Sequence, residues 1–146
     1  MNEAASFAVS SDGAYAYVEA AVRTLAREGV AIRQTRQAGR PSGWAHEVAG
    51  EVGSGAVRAA VLFCLGPELA ACVANKVPGV RAVSVSTVAQ AGRAALDVGV
   101  NLLAVEMPGR TYYEIRQMLR ILFSETPSCP AGLSAVLKEV EGHAHR

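Results

Sequence analysis

Short continuous apolar runs alternate along this chain with segments of helical period. "FAVS" (7–10) is the first run and is closed by Ser11, Asp12 and Gly13. From Ala14 the apolar positions are Ala14, Val18, Ala21, Val22 and Leu25, one face of a helix that Gly29 stops. Glu19 lies on the opposite face, one turn before Arg23, so the two are expected to pair. "VAIRQ" (30–34) predicts a second strand, and "TRQAGRPSG" (35–43) a loop. A helix is expected from Trp44 to Val52. "AAVLFC" (59–64) is apolar without alternation, as a strand covered on both faces requires. A helix from Pro67 to Ala74, a strand over "VRAVSV" (80–85) and a helix over Val88 to Leu96, capped by Ser86 or Thr87, come next. "NLLAVE" (101–106) is the fifth strand. "TYYE" (111–114) has the form of a capping box opening a helix with Ile115, Met118, Leu119 and Leu122 on one face. Leu133, Val136, Leu137 and Val140 mark a last helix over about 131–141, packing on the domain or on a partner subunit, and "EGHAHR" reads as a polar tail.

Strand and helix thus alternate through short loops. The expected fold is α/β: a Rossmann-like α/β/α sandwich around a five-stranded parallel sheet, formed by one domain over residues 1–146. Sheets of this kind bind ligands beyond the carboxyl ends of their strands. The candidate positions are therefore Ser11 to Gly13, Cys64 to Glu68, Ser86 and Thr87, and Met107 to Arg110.

Composition narrows the function classes. Hydrophobic residues make up 51% of the 146 positions and aromatic ones only 5%, which suits a small-residue core where helices approach the sheet closely. The net charge of +1 and scattered arginines give no footprint for nucleic acid or an anionic membrane. No apolar run is long enough to span a bilayer, and the start of the chain lacks a basic-then-apolar leader, so a cytoplasmic protein is expected. Cys64, Cys72 and Cys129 fit neither a disulfide framework nor a zinc motif, and His46, His143 and His145 lie far from them, so no metal site is expected.

The strand ends carry the candidate chemistry. Asp12 suits an N-cap, a carboxylate that holds sugar hydroxyls, or both. Cys64 ends the third strand facing the start of the next helix, whose dipole favours a thiolate able to take a proton from carbon beside a carbonyl; its alternative is a small buried hydrophobe. Cys72, inside the helix, is expected in the core. Glu68 lies in the first helical turn and could shuttle a proton. Gly66 leaves backbone N–H groups for a developing oxyanion, although Pro67 removes one donor.

"ANKVPGVRA" (74–82) resembles a segment of the family of ribose-5-phosphate isomerase type B and the galactose-6-phosphate isomerase subunits. "VSSDGAY" (9–15) is similar to that family's Gly-Ser-Asp-His-Ala-Gly opening, and "GVNLLAV" (99–105) to its fifth strand. The resemblance spans residues 7 to about 123. It implies a dimer or tetramer with sites at subunit interfaces. The implied chemistry interconverts aldoses and ketoses through a cis-enediol without metal or other cofactor. It places the base on Cys64 and sugar contacts on Ser11, Asp12 and Asn75. The departures are specific: Gly13 replaces a His, "LGPEL" (65–69) replaces a glycine loop, Ser86 replaces the ring-opening His, and Pro108 replaces an arginine that Arg110 lies close enough to substitute. Two lost charge-assisted phosphate contacts would weaken binding roughly a hundredfold or more. The expected function is therefore a divergent isomerase of a sugar, polyol or sugar phosphate, working as a homodimer, a tetramer or beside a paired homologous subunit. The alternative is a non-catalytic relative that binds a small molecule or a partner.

Overall fold

The computed structural model describes residues 6–144. Five strands, β1 (Phe7–Ser11), β2 (Ile32–Arg36), β3 (Ala59–Cys64), β4 (Ala82–Val85) and β5 (Leu102–Glu106), form one parallel sheet in the order β2-β1-β3-β5-β4. The helices are α1 (Ala16–Arg27), α2 (Ala45–Gly53), α3 (Pro67–Ala74), α4 (Val88–Asp97), α5 (Tyr112–Phe123) and α6 (Ala131–Ala144). This is the expected α/β/α sandwich.

Each face of the sheet has its own core. Phe7, Val9, Val61, Phe63, Leu103 and Val105 pack on one side against the apolar stripes of α1, α4 and α5. Ala8, Ala60, Leu62, Cys64, Leu102 and Ala104 pack on the other against α2 and α3. The second face is lined with alanines, and α3 contributes Ala70, Ala71 and Ala74. Small residues on both surfaces let α3 lie close to the sheet. On the first face Ile115, Met118, Leu119 and Leu122 are fully buried, each worth roughly 1.5–3 kcal/mol. Phe123 stacks on Phe7 with ring centroids 4.4 Å apart.

Both expected N-terminal locks form. Thr87 caps α4 with Gln90, and Thr111 caps α5 with Glu114, each as a reciprocal capping box. Strand β2 starts two residues later than the pattern predicts. It is an edge strand paired only with β1, and Arg33, Gln34 and Arg36 are exposed, so no buried face fixes its limits in the sequence. Glu19 pairs with Arg36 at 3.1 Å rather than with Arg23, because β2 brings that guanidinium to the same face of α1.

The segment after α5 is held by Gly99. Its φ is +63°, and a Cβ there would stand 2.3 Å from the carbonyl oxygen of Ser128. Helix α6 extends beyond the expected range to Ala144, while His145 and Arg146 lie outside the described residues. Val136 and Val140 are exposed, so the expected apolar stripe is only partly covered by this chain. Among the described residues, no helix is long and apolar enough to cross a membrane.

Candidate active site

Strand β3 lies at the centre of the sheet, and its last residue, Cys64, is flanked by the ends of β1 and β5. The ladder runs one step past each neighbour: Asp12 N–H donates to Phe63 O at 3.1 Å, and Met107 N–H donates to Cys64 O at 3.0 Å. These two bonds set the β1–α1 and β5–α5 loops on either side of Cys64.

Asp12 ties these loops together. One carboxylate oxygen accepts Leu65 N–H at 2.9 Å, which ties the loop after β1 to the loop after β3. The other accepts the Tyr15 hydroxyl at 2.5 Å. The carboxylate caps no helix: the N-cap of α1 is Tyr15, and no side chain satisfies the first amides there. Burial, the hydrogen bond to Asp12 and the Asp12 charge together push the Tyr15 phenol well above its ordinary pKa, so it remains a donor.

Of the two readings of Cys64, the structure shows the buried residue and not an exposed thiolate. Its exposure is 0%, and it packs within the α2–α3 face of the core. Burial pushes the thiol up to about 12, and the Asp12 charge adds to the rise. The Gly66 N–H acts in the opposite direction, as a helix start should, but is outweighed. Cys72 departs the other way: it was expected in the core, yet it is exposed on α3.

The remaining candidates separate into groups. Gly66 is the N-cap of α3, no side chain caps that helix, and Ala70 N–H makes the first bond back to Gly66 O. The first-turn amides of Glu68 and Leu69 thus lack intrahelical acceptors. The Glu68 side chain is exposed beside Gly66, and Leu65 is 68% exposed. Ser11 is buried, and its carbonyl accepts Gln37 N–H at 2.8 Å. The exposed Asn75 donates its amide to Ala82 O at 2.9 Å and accepts Ala82 N–H at 2.8 Å, so it clamps the end of α3 to β4. The Ser86 hydroxyl and N–H both turn to Gln90 Oε1, while the Ser86 carbonyl accepts a bond from Arg110 Nη1. Arg110 Nε is buried without a partner among the described residues. His46 is exposed on α2.

Two cavities of about 480 Å³ lie on either side of the β1–α1 loop. One is polar, between β1, α1 and β2, with Ser11, Glu19, Arg23 and Arg36 in its wall. The other lies between Ala14–Tyr17 and Met107–Thr111.

The family model described as Ribose/Galactose Isomerase matches residues 7–126. This chain belongs to the ribose/galactose isomerase family. No curated protein sequence matches it significantly. Solved structures show the same fold. The type B ribose 5-phosphate isomerase of Trypanosoma cruzi is 22% identical with a TM-score of 0.75, over 93% of this chain and 95% of that one. The Clostridium thermocellum ribose-5-phosphate isomerase B is 17% identical with a TM-score of 0.77, over 95% and 97%. The Mycoplasma genitalium enzyme, solved with bound ribulose-5-phosphate, is 16% identical with a TM-score of 0.75, over 96% of each chain.

For a ribose/galactose isomerase family chain the notable residue is Tyr15. Sequence reasoning stopped at Asp12 and missed it. The signal lay in the opening segment: where the pattern Gly-Ser-Asp-His-Ala-Gly ends in glycine, this chain carries a tyrosine. A phenol at that position reaches back three residues and occupies the carboxylate.

Proposed function

We propose that this protein interconverts the aldose and ketose forms of a sugar or sugar derivative by moving a proton between C1 and C2 through a cis-enediol. One observation carries the proposal: Asp12, pinned by Leu65 N–H beside Cys64, already accepts a hydroxyl at 2.5 Å. A sugar hydroxyl has the same donor chemistry as the Tyr15 phenol and takes its place when substrate enters.

Cys64 then acts as the acid–base group. In the resting chain the thiol is neutral, its pKa pushed up to about 12. The main cause is burial, and the Asp12 charge comes second. In the complex the Gly66 N–H, which already favours the thiolate, has to outweigh burial for the sulfur to ionise. The free first-turn amides of α3 hold the enediolate oxygen, Glu68 relays the proton from its exposed position, and Ser86 and Arg110 line the distal end of the substrate. The protein works in the cytoplasm as a homodimer, in which a second copy completes the crevice.

A specific observation favours a second reading. A fully buried thiol with a raised pKa fits a relative that binds a small molecule and performs no proton transfer. ¹H NMR of a panel of pentoses, hexoses and their phosphates separates the two. The isomerase reading predicts interconversion of at least one panel member, falling roughly hundredfold to ten-thousandfold in Cys64→Ala. Saturable binding with no interconversion by wild type supports the second reading.

A further inference from the structure

The cavity between the β1–α1 and β5–α5 loops has walls that a bare pentose phosphate does not require. Tyr15, Met107 and Pro108 give it apolar sides. Tyr17 lines it too and is 56% exposed, an aromatic ring left standing in solvent at the mouth of a concave surface. The cavity's volume is that of a small-molecule site. Among the described residues one cation lines it, Arg110, whose Nη1 is spent on the Ser86 carbonyl and whose Nε is buried without a partner. A buried donor of this kind is costly until an acceptor arrives. Glu114 lies close enough to feel the Arg110 charge, but its carboxylate is taken up by Thr111 N–H.

We infer that this cavity holds the non-reacting end of the substrate, a flat apolar group bearing an oxyanion. The ring lies among Tyr15, Tyr17 and Pro108, and the oxyanion meets Arg110. The inference rests on the isomerase reading above, because Tyr15 belongs to both regions: its ring walls the cavity while its hydroxyl sits on Asp12. A substrate that fills the cavity therefore displaces the same side chain that guards the carboxylate.

Isothermal titration of the full-length protein with phenyl phosphate, inorganic phosphate and ribose 5-phosphate tests this. Phenyl phosphate is expected to bind at least roughly tenfold tighter than inorganic phosphate, the gain for burying one ring face. Tyr17→Ala, at an exposed position that leaves the core intact, should remove most of that advantage. Arg110→Gln should weaken both phosphates by a similar factor, roughly tenfold or more. Phenyl phosphate binding no tighter than inorganic phosphate, or an advantage that survives Tyr17→Ala, overturns the inference. The isomerase reading fails separately: intact binding of phenyl phosphate by wild type, without turnover of any sugar, rejects catalysis and leaves the cavity assignment standing. Turnover of ribose 5-phosphate without any preference for the phenyl ester rejects the cavity assignment alone.

Discussion

Three side chains, Asp12, Tyr15 and Cys64, decide what this crevice does. Asp12 and Cys64 were legible because parallel-sheet geometry concentrates chemistry at strand ends, and each ends or follows a short apolar run. The state of the thiol was not legible. A cysteine at a strand end beside a helix start can be exposed and acidic or buried and neutral. The choice depends on what covers it, here the α2–α3 face with its alanines. The exposed Cys72 should react readily with a maleimide in the native protein, and Cys64 should react only on unfolding or on opening of the crevice; peptide mapping after brief labelling reads this directly. The buried thiol also sets a pH dependence. In the unfolded chain it ionises near its ordinary value of 9.0, whereas in the folded chain it holds its proton to about 12. Its contribution to stability is complete below pH 9 and is lost as pH rises toward 12. Thermal melts between pH 8 and 11 should show a steeper alkaline loss for wild type than for Cys64→Ala. Tyr15→Phe removes the hydroxyl that competes for Asp12 while keeping the ring, so KM for any turned-over sugar should fall.

At the level of elements, the limits of β3 and α3 follow from the pattern because both are enclosed: β3 is a continuous apolar run, and α3 opens on proline and ends at Asn75. Edge elements lack such constraint, and β2 slides by two residues for that reason. Asn75 lies in the segment that resembles a family signature, and its side chain pairs with the backbone of Ala82, a structural role the motif alone does not reveal. Asn75→Ala should lower stability by roughly 2–3 kcal/mol through two lost hydrogen bonds, with KM unchanged; denaturant melts and steady-state kinetics check both parts. Gly99→Ala should cost more than an ordinary surface change. It places a methyl group 2.3 Å from Ser128 O at a left-handed backbone position, and its effect should appear as increased proteolysis around residues 124–130.

For the whole molecule, the order of strands and helices was readable because each apolar run is short and each helix has one buried face. The far side of α6 was not, since a lone chain gives its stripe no neighbour. Val136 is 55% exposed and Val140 57%, which suits a second copy of the chain. Light scattering at micromolar concentration should return a dimer, and Val136→Lys with Val140→Lys should shift it toward monomer without loss of helix content. The measurement that bears most directly on the central claim is solvent deuterium uptake at C2 of sugars incubated with the protein in D₂O. Uptake by wild type on at least one sugar, abolished in Cys64→Ala and strongly reduced in Asp12→Asn, is the predicted result. No uptake on any sugar, or uptake undiminished in Cys64→Ala, would contradict it.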